Sequence, residues 1–246
     1  MIRETNNILS SNNGEEKPEQ CRDLCLKCLR PKKSCYCKYI KPVDCKVKFV
    51  FLMHPKEAKH QRTGTGRLAH LSLPDSEILV GVDYTKNARV CELLSDEKYY
   101  PVLLYPGDDA WTCKKEGFKD AVGNKTLLVF VIDSTWFCSR KMIRYSTNIL
   151  ALPKLSFYGS YKSIFTFKHE PKEYCVSTIE SCYYLIKELQ SANIVDSKVD
   201  PEPLLDVFKQ MVKFQITKEN ERIESGLPGT HEKDMYYLKP REVPKF

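Results

Sequence analysis

The fold is decided by the stretch from Thr126 to Trp136, which has the sequence TLLVFVIDSTW. Its first seven residues are uncharged and rich in Val, Leu, Ile and Phe, which is typical of a strand buried on both faces of a parallel sheet. Asp133 follows where this strand ends, and open α/β sheets bind ligands at the carboxyl ends of their strands. The stretch therefore predicts a central strand that brings an acidic side chain to a ligand-binding edge.

The rest of the chain supplies further strands that alternate with helices. Apolar runs bounded by turn residues predict strands at Lys46–Met53, Glu77–Val82, Pro101–Tyr105 and Lys154–Tyr158. Helical spacing of apolar residues or helix-forming composition predicts helices at Arg89–Glu97, Phe137–Thr147, Ser177–Ala192 and Pro201–Asn220. This alternation predicts an α/β fold with a parallel-dominated sheet.

Positive charge is concentrated near the start of the chain. The net charge is +7, and between Cys21 and Arg62 twelve Lys or Arg stand against three Asp or Glu. A basic block beside an otherwise balanced sequence suggests a polyanionic partner such as nucleic acid. The alternative is a solvated, lysine-rich face with no partner.

Composition also predicts the compartment and the division into domains. No run approaches the ~18 consecutive apolar residues of a membrane span, and the polar N-terminus lacks a signal peptide core. We therefore expect a cytoplasmic protein with no membrane partner. We expect a disordered tail over residues 1–20, a cysteine-rich module over 21–45, a main domain over 46–222 and a C-terminal tail over 223–246.

The cysteine-rich module predicts a structural zinc site. Eleven cysteines in a reducing compartment favour metal binding or free thiols over disulfides. Four of them fall in the compact pattern Cys25-x2-Cys28-x6-Cys35-x-Cys37. Zn²⁺ takes four tetrahedral thiolate ligands, and a closed site of this kind has no catalytic position. Cys21 or Cys45 is close enough to replace one ligand, unligated loop cysteines are the alternative, and the five cysteines beyond residue 90 are predicted to be packing residues.

Two motifs close predicted strands or open predicted helices. Leu104-Tyr105-Pro106-Gly107 ends the third strand, where a sharp turn would leave backbone amides for a ligand. Ser177-Thr178-Ile179-Glu180 fits a helix capping box, and the same helix start suits a carboxylate or phosphate. In contrast, Thr63-Gly64-Thr65-Gly66 lacks the Gly-Lys-Ser/Thr ending of a phosphate loop, so nucleoside triphosphate binding is not predicted.

Three single residues each admit two interpretations. Asp133 either caps the basic helix that follows it or acts as an acid at the ligand edge. Trp136 either belongs to the core or stacks on a nucleobase or adenine ring. His54, directly after the first strand, is either a hydrogen-bonded structural residue or part of the same crevice.

Five motifs, in this order, resemble those of the DTW-domain family. They are the four-cysteine pattern, His54-Pro55-x-Glu57, Leu104-Tyr105-Pro106, Asp133-x-Thr135-Trp136 with Arg140-Lys141-Met142, and Ser177-Thr178-Ile179-Glu180. The resemblance covers about residues 21–215 and implies a SPOUT-like core with a trefoil knot. It also implies a tRNA-uridine aminocarboxypropyltransferase. Such enzymes transfer the 3-amino-3-carboxypropyl group of S-adenosylmethionine to N3 of a uridine, giving acp3U and 5′-methylthioadenosine.

The resemblance and the motifs together suggest roles for particular residues. Asp133 is the candidate general base that takes the N3 proton. The candidate cofactor-binding residues are Leu104, Tyr105, Pro106, Gly107, Thr135, Trp136, Ser177 and Thr178. The candidate tRNA-binding residues are Lys27, Arg30, Lys32, Lys33, Arg140, Lys141 and Lys168. Many family members carry Arg where Lys168 stands, and Gly where Ser134 stands, so substrate affinity is expected to differ without a change of reaction class.

Two other functions are compatible with the same residues. The first is a SPOUT-type RNA methyltransferase, which would use the same cofactor but transfer its methyl group. The second is a non-catalytic, zinc-dependent RNA-binding module. In each case the expected partner is RNA, and the protein is expected to be a monomer or a homodimer.

Overall fold

A computed structural model describes residues 23–60, 64–165, 175–227 and 240–246. In this part of the chain, five strands form one sheet in which every neighbouring pair is parallel. The strands, in chain order, are β1 (Lys48–Met53), β2 (Ser76–Val80), β3 (Tyr99–Leu104), β4 (Thr126–Asp133) and β5 (Lys154–Leu155). The predicted α/β class with a parallel sheet is confirmed, and the spatial order is β2-β1-β4-β3-β5.

Helices follow most of the strands and cover both faces of the sheet. They are α1 (Pro55–His60), α2 (Thr65–Ser72), α3 (Ala88–Ser95), α4 (Phe118–Val122), α5 (Trp136–Tyr145), α6 (Thr147–Leu150), α7 (Thr178–Ser191) and α8 (Glu202–Glu224). Two short 3₁₀ turns, Lys32–Ser34 and Cys37–Tyr39, lie in the cysteine-rich segment. Helix α8 is four residues longer than the predicted helix at its C-terminal end.

The alternation of side chains along β1 explains why this strand lies inside the sheet. All six of its residues are buried. Phe49 and Phe51 pack into the core formed with α2, α7 and α8, whereas Val50 and Leu52 pack into the core formed with α3, α5 and α6. Both faces are therefore apolar, as expected for a parallel strand covered by helices on both sides.

The order in which the chain adds strands to the sheet reverses between β1 and β4. From β1 the chain moves outward to β2, whereas it enters β4 from β3 on the opposite side. The two central strands end level with each other, with Met53 paired to Asp133. The backbone N–H of His54 then donates a hydrogen bond of 3.0 Å to the Asp133 carbonyl oxygen. Such a switch point opens a crevice at the carboxyl ends of the strands, which is where α/β proteins bind ligands.

Several predictions concern regions beyond the described residues. The N-terminal tail, Cys21 and Lys168 lie outside them, as do residues 228–239 of the predicted C-terminal tail. The end of the chain returns to α8, because Asn220 and Arg241 exchange two hydrogen bonds of 2.7 and 2.8 Å. The trefoil knot stays a prediction. Within the described ranges, no helix combines the length and the apolar character that a bilayer span requires.

Candidate active site and metal centre

A cavity with a volume of about 750 Å³ lies at the carboxyl ends of β3, β4 and β5. Segments 104–106, 131–137, 155–161 and 175–178 provide most of its lining, so the start of α7 forms one wall. Sites for small molecules and cofactors typically measure about 300–1,000 Å³. The cavity therefore has the size and the position of a cofactor site.

Asp133 lies in this cavity as the last residue of β4 and is only 5% exposed. The hydroxyl of Thr178 donates a hydrogen bond of 2.7 Å to Asp133 Oδ1. Thr178 is the first residue of α7, which begins 45 residues later in the chain. Two motifs that the sequence presents separately thus meet as one hydrogen-bonded pair.

Helix α2 packs its backbone directly against the Asp133 carboxylate at Gly66. A Cβ atom added to Gly66 would lie 2.4 Å from both Cγ and Oδ2 of Asp133. This distance is far below van der Waals contact, so the position requires a glycine as long as Asp133 keeps this orientation. The sequence interpretation missed this role, although a glycine inside a helix is itself a signal of close approach.

Seven of the eight predicted cofactor-binding residues line the cavity, and one does not. The cavity lining includes Leu104, Tyr105, Pro106, Thr135, Trp136, Ser177 and Thr178. Gly107 is not part of that lining, and its carbonyl oxygen accepts a hydrogen bond from the Ala110 N–H.

Two of the lining residues have additional contacts that fix the start of α5. The Thr135 hydroxyl accepts a hydrogen bond from the Cys138 N–H at 3.4 Å and so caps α5. Asp133 precedes this cap, which settles the question of which residue caps the helix. The Trp136 ring lies 6.1 Å from the Tyr105 ring and is 36% exposed. Trp136 is therefore a wall of the cavity and not a core residue.

Two buried glutamates of α7 hold the segment that covers the cavity. Glu180 is fully buried, and its carboxylate accepts hydrogen bonds from the Ser163 hydroxyl at 2.7 Å and the Ile164 N–H at 2.7 Å. It also accepts a bond of 2.8 Å from the Ser177 N–H, as the predicted capping box requires.

Glu188, two turns further along α7, is 1% exposed. It accepts hydrogen bonds from the N–H groups of Tyr158 and Gly159, both at 3.1 Å, and from the Tyr161 hydroxyl at 2.8 Å. Because Tyr158, Gly159 and Tyr161 line the cavity, α7 fixes both the acidic residue and the wall opposite its helix start. This role of Glu188 was not predicted from the sequence.

His54 occupies the switch point but not the cavity lining. Its Nδ1 accepts a hydrogen bond of 3.1 Å from the Lys56 N–H. Partial burial, together with the charges of Lys56 and Lys141, lowers the pKa of His54. The ring is therefore neutral near pH 7, as a hydrogen-bonded structural residue would be.

The four predicted zinc ligands form a compact cluster. The Sγ atoms of Cys25, Cys28, Cys35 and Cys37 all lie within 4.8 Å of one another. The Cys25–Cys37 and Cys28–Cys35 Sγ pairs are each 3.7 Å apart. A tetrahedral site with Zn–S bonds of about 2.3 Å has Sγ–Sγ distances of about 3.8 Å, so the arrangement fits a metal ion.

Of the other two candidate ligands, the structure describes Cys45, which lies outside this cluster. Cys45 is buried, and burial raises its pKa to about 11, as expected for a packing residue. Cys21 lies outside the described residues. Of the cysteines predicted to pack, Cys113, Cys175 and Cys182 are buried, whereas Cys91 is exposed. The prediction is therefore wrong for Cys91.

The cysteine-rich module packs on α8 through Tyr36. The Tyr36 ring meets Phe214 edge to face at a centroid distance of 6.0 Å, and the Arg30 guanidinium lies 4.3 Å from the Tyr36 centroid. Tyr36 is 3% exposed and belongs to the main core. The module is thus held to the domain by an aromatic anchor, which leaves its lysines at the surface.

The predicted RNA-binding residues lie in two surface regions. Lys27, Lys32 and Lys33 are exposed on the module, and Arg30 is half-buried there. Arg140 and Lys141 are exposed on α5, beside the cavity. Both regions can therefore meet a polyanion, whereas the position of Lys168 is not described.

These features define a class: an α/β protein with a parallel sheet, a buried carboxylate in a cofactor-sized cavity and a four-cysteine cluster. The sequence profile of the DTW domain matches residues 22–216, which is most of the chain. The chain therefore belongs to the DTW domain family, as the five motifs indicated.

Curated relatives are identical to this chain at about a quarter of the aligned positions. A mouse protein named tRNA-uridine aminocarboxypropyltransferase 2 is 25% identical over 82% of this chain and 65% of its own length. The protein of that name from Macaca fascicularis is 25% identical over 81% and 66%, respectively. The Drosophila melanogaster protein is 24% identical over 93% and 86%. The chain thus spans just under two thirds of the two mammalian relatives, and no solved structure matches it.

Proposed function

We propose that this protein is a tRNA-uridine aminocarboxypropyltransferase. It would transfer the 3-amino-3-carboxypropyl group of S-adenosylmethionine to N3 of a tRNA uridine. The observation that carries the proposal is the buried Asp133 carboxylate, oriented by Thr178 inside a cavity of about 750 Å³. The membership in the DTW family and the names of the relatives support the choice of reaction.

Asp133 is the proposed general base. The N3 proton of uracil must leave as N3 forms its bond to carbon, and a positioned carboxylate can accept that proton. The Thr178 hydroxyl occupies one lone pair of Oδ1 and holds the carboxylate in a single orientation. Close contact with Gly66 on another side restricts the same group. Asp133 is thus preorganised for one direction of proton transfer.

The chemistry of the cavity fits S-adenosylmethionine. When bound, this group supplies an electrophilic carbon next to a sulfonium, and 5′-methylthioadenosine is the leaving group. Trp136 and Tyr105 provide aromatic faces that can stack on adenine and attract a cation such as sulfonium. The 156–161 wall, which Glu188 holds in place, would help to select which carbon faces the uracil.

The four-cysteine cluster has a structural role in this proposal. Its thiolates would hold Zn²⁺ in a closed tetrahedral site, so the metal does not touch the substrate. The exposed lysines of the module and the cations of α5 would bind tRNA phosphates, which predicts strong dependence of affinity on salt. The target uridine would leave its stack to reach Asp133 in the cavity.

Mass spectrometry of nucleosides tests the proposal directly. The full-length protein is incubated with unmodified tRNA transcripts and S-adenosylmethionine. The tRNA is then digested to nucleosides, and their masses are measured. A uridine heavier by one aminocarboxypropyl group is the expected product. A uridine heavier by one methyl group would show a methyltransferase. Binding of tRNA without any modified nucleoside would show a non-catalytic RNA-binding protein.

An Asp133→Asn variant tests the role of the carboxylate. The amide keeps the shape of the side chain but cannot take the proton, so turnover should fall by about 100-fold or more. Affinity for tRNA should stay within about twofold, because the phosphate contacts are elsewhere. Unchanged turnover would remove Asp133 from the mechanism even if the product is the expected one.

A further inference from the structure

Phe137 is unusually exposed for a large apolar residue. It lies in the first turn of α5, and 75% of its surface is open to solvent. The buried side of α5 is formed by Ser139, Met142 and Ile143, so Phe137 has no part in the core. Phe137 also belongs to the lining of the active-site cavity. An aromatic ring therefore lies at the mouth of the cavity with one side available to a partner.

Cations and a second aromatic ring continue from Phe137 along one side of the helix. Lys141, Arg144 and Tyr145 follow at intervals of four, seven and eight residues, which places them on the same face. All three are exposed, and the Lys141 Nζ lies 5.4 Å from the Tyr145 ring centroid. We call Phe137, Lys141, Arg144 and Tyr145 the α5 face.

The described part of the chain provides no acidic partner in an ion pair with the cations of the α5 face. Among the ion pairs between described residues, none includes Lys141 or Arg144. The charge of Lys141 also contributes to the lowered pKa of His54, after burial and Lys56, which places Lys141 near the crevice between β1 and β4. The face is thus a positive strip with aromatic rings that begins at the cavity.

We infer that the α5 face binds the single-stranded nucleotides that flank the target uridine. The base next to the target would stack on the Phe137 ring, and the phosphates that follow would contact Lys141 and Arg144. Alternating aromatic rings and cations are the common means of binding single-stranded nucleic acid, because every base has a stacking face and every nucleotide a phosphate. The ring would also fill the gap that the flipped uridine leaves.

The composition of the face favours RNA over a protein partner. Protein interfaces are depleted of lysine at their centres and are built around larger apolar areas. Here two cations separate two isolated rings, and the cavity beside them is where the RNA base must enter. The inference rests on the proposed function, because it assumes that RNA is the substrate. It adds a specific nucleotide contact that the proposed reaction does not require.

Variants of Phe137 test this inference in the full-length protein. Affinity for unmodified tRNA transcripts is measured by fluorescence anisotropy for Phe137→Ala, for Phe137→Trp and for a control, Leu227→Ala. Leu227 is 59% exposed at the end of α8, away from the cavity lining. We expect Phe137→Ala to weaken tRNA binding about tenfold, as for loss of one stacked base. Phe137→Trp should retain the tRNA affinity of the wild type, because it keeps an aromatic ring, and Leu227→Ala should bind tRNA as the wild type does.

The dependence of affinity on salt separates stacking from phosphate contacts. Phe137→Ala should leave the slope of log affinity against log salt unchanged, because no charge is removed. Arg144→Gln should reduce that slope by about 1. Affinity for S-adenosylmethionine, measured by calorimetry, should fall much less than affinity for tRNA in Phe137→Ala, because the Phe137 ring is mostly exposed at the mouth of the cavity. A loss of cofactor affinity equal to the loss of tRNA affinity would show that Phe137 only supports the cavity wall, and would overturn the inference.

The outcomes for Phe137 and for the reaction are independent of each other. If the wild type modifies uridine but Phe137→Ala binds tRNA normally, the inference fails and the proposed function stands. If Phe137→Ala weakens tRNA binding but the wild type transfers no aminocarboxypropyl group, the reaction assignment fails and the RNA contact stands. A change of oligomeric state in Phe137→Ala, with unchanged tRNA affinity, would show a protein contact and overturn the inference.

Discussion

The Thr178 hydroxyl donates a hydrogen bond of 2.7 Å to Asp133 Oδ1, and this bond joins the start of α7 to the end of β4. Each residue has a local explanation in its own segment, since Thr178 lies within a capping box and Asp133 precedes a capped helix. Their hydrogen bond brings both segments to the same cavity. The hydroxyl is a positioning group because it fixes the acid and leaves the proposed chemistry to the carboxylate.

Replacing Thr178 should therefore lower turnover more than it lowers stability. Thr178→Val keeps the volume but removes the donor, so the carboxylate loses its fixed orientation. We expect kcat to fall by about 10-fold to 100-fold, because small misplacements of reacting groups cost that much. Single-turnover kinetics of uridine modification provide the measurement. Thr178→Ser retains the hydroxyl and should keep most of the activity.

Two results would contradict this interpretation of Thr178. One is a valine variant with normal kcat and a raised KM for the cofactor, which would place Thr178 in cofactor binding. The other is equal loss in the valine and serine variants, which would point to packing. The melting temperature of each variant should be recorded beside its rate, because a partly unfolded protein would mimic the expected loss.

Gly66→Ala should damage the site through a steric clash with Asp133. The new Cβ would lie 2.4 Å from the carboxylate, so either the acid or α2 must move. We expect a loss of about 1–3 kcal/mol in the free energy of unfolding, as for overpacking of a buried site. The turnover of Gly66→Ala should fall by about as much as that of Thr178→Val, because both changes displace the Asp133 carboxylate. Denaturant titration and single-turnover kinetics measure the two effects.

A double-mutant cycle shows whether Asp133 is the cause of that loss. In an Asp133→Ala background the clashing carboxylate is absent, so Gly66→Ala should destabilise by much less than in the wild type. Residues in contact give interaction energies of about 0.5–3 kcal/mol in such cycles. If the two losses simply add, then Gly66 is required for packing of α2 and not for the acid.

The cysteine cluster should hold stoichiometric zinc that stabilises the whole domain. Cys28→Ser and Cys35→Ser each remove a ligand, so the purified variants should lose the metal. The melting temperature should fall by about 5–10 °C, because metal binding contributes to folding. Elemental analysis and thermal unfolding are the measurements. The matched control is Cys91→Ser, since Cys91 is exposed and outside the cluster. A wild type without metal would refute the assignment.

Acid should destabilise the protein partly through Glu77 on β2. Hydrogen bonds from Arg89 and then from Lys48 lower the pKa of Glu77 from 4.5 to about 2. Its contribution to stability is therefore complete above pH 4.5 and is lost as the pH falls through about 2. Glu77→Gln should cost about 1–2 kcal/mol at pH 7, after allowance for screening, and should flatten the acid side of the stability curve.

Glu92→Gln is the control for this acid effect. Glu92 also pairs with Arg89, at 2.7 Å, but its side chain is 67% exposed. An exposed pair of this kind contributes at most about 1 kcal/mol. Thermal unfolding between pH 2 and 7 should therefore separate the two variants. Identical pH profiles for the wild type and Glu77→Gln would contradict the prediction.

The fold could be predicted from the sequence because the strands have an unusually clear pattern. The apolar run of β4 and the alternation in β1 require two covered faces, which the parallel sheet provides. Helix ends were less predictable. Helix α8 continues through polar residues to Glu224, beyond the predicted end at Asn220. Its hydrogen bonds to Arg241 and its contact with the cysteine-rich module involve residues far away in sequence, which local periodicity does not show.

The residues predicted for the candidate site belong to short motifs at the ends of predicted strands or the start of a predicted helix. Asp133, Thr135 and Trp136 lie together at the end of one strand, and the four cysteines lie within one short segment. Gly66 and Glu188 act on residues far from them in the chain, so only the packing of α2 and α7 brings them to the cavity. The sequence likewise does not distinguish Phe137 from a buried helix residue, and only the structure shows that it is exposed.

Helix α7 carries Thr178, Glu180 and Glu188, and each of these residues points to a different partner around the cavity. An inserted or deleted residue within this helix would rotate its later part by about 100° and shift it by about 1.5 Å. The bonds of Thr178 and those of Glu188 could then no longer form together. Homologous proteins should thus tolerate many substitutions along α7 but no change in its length between these two positions.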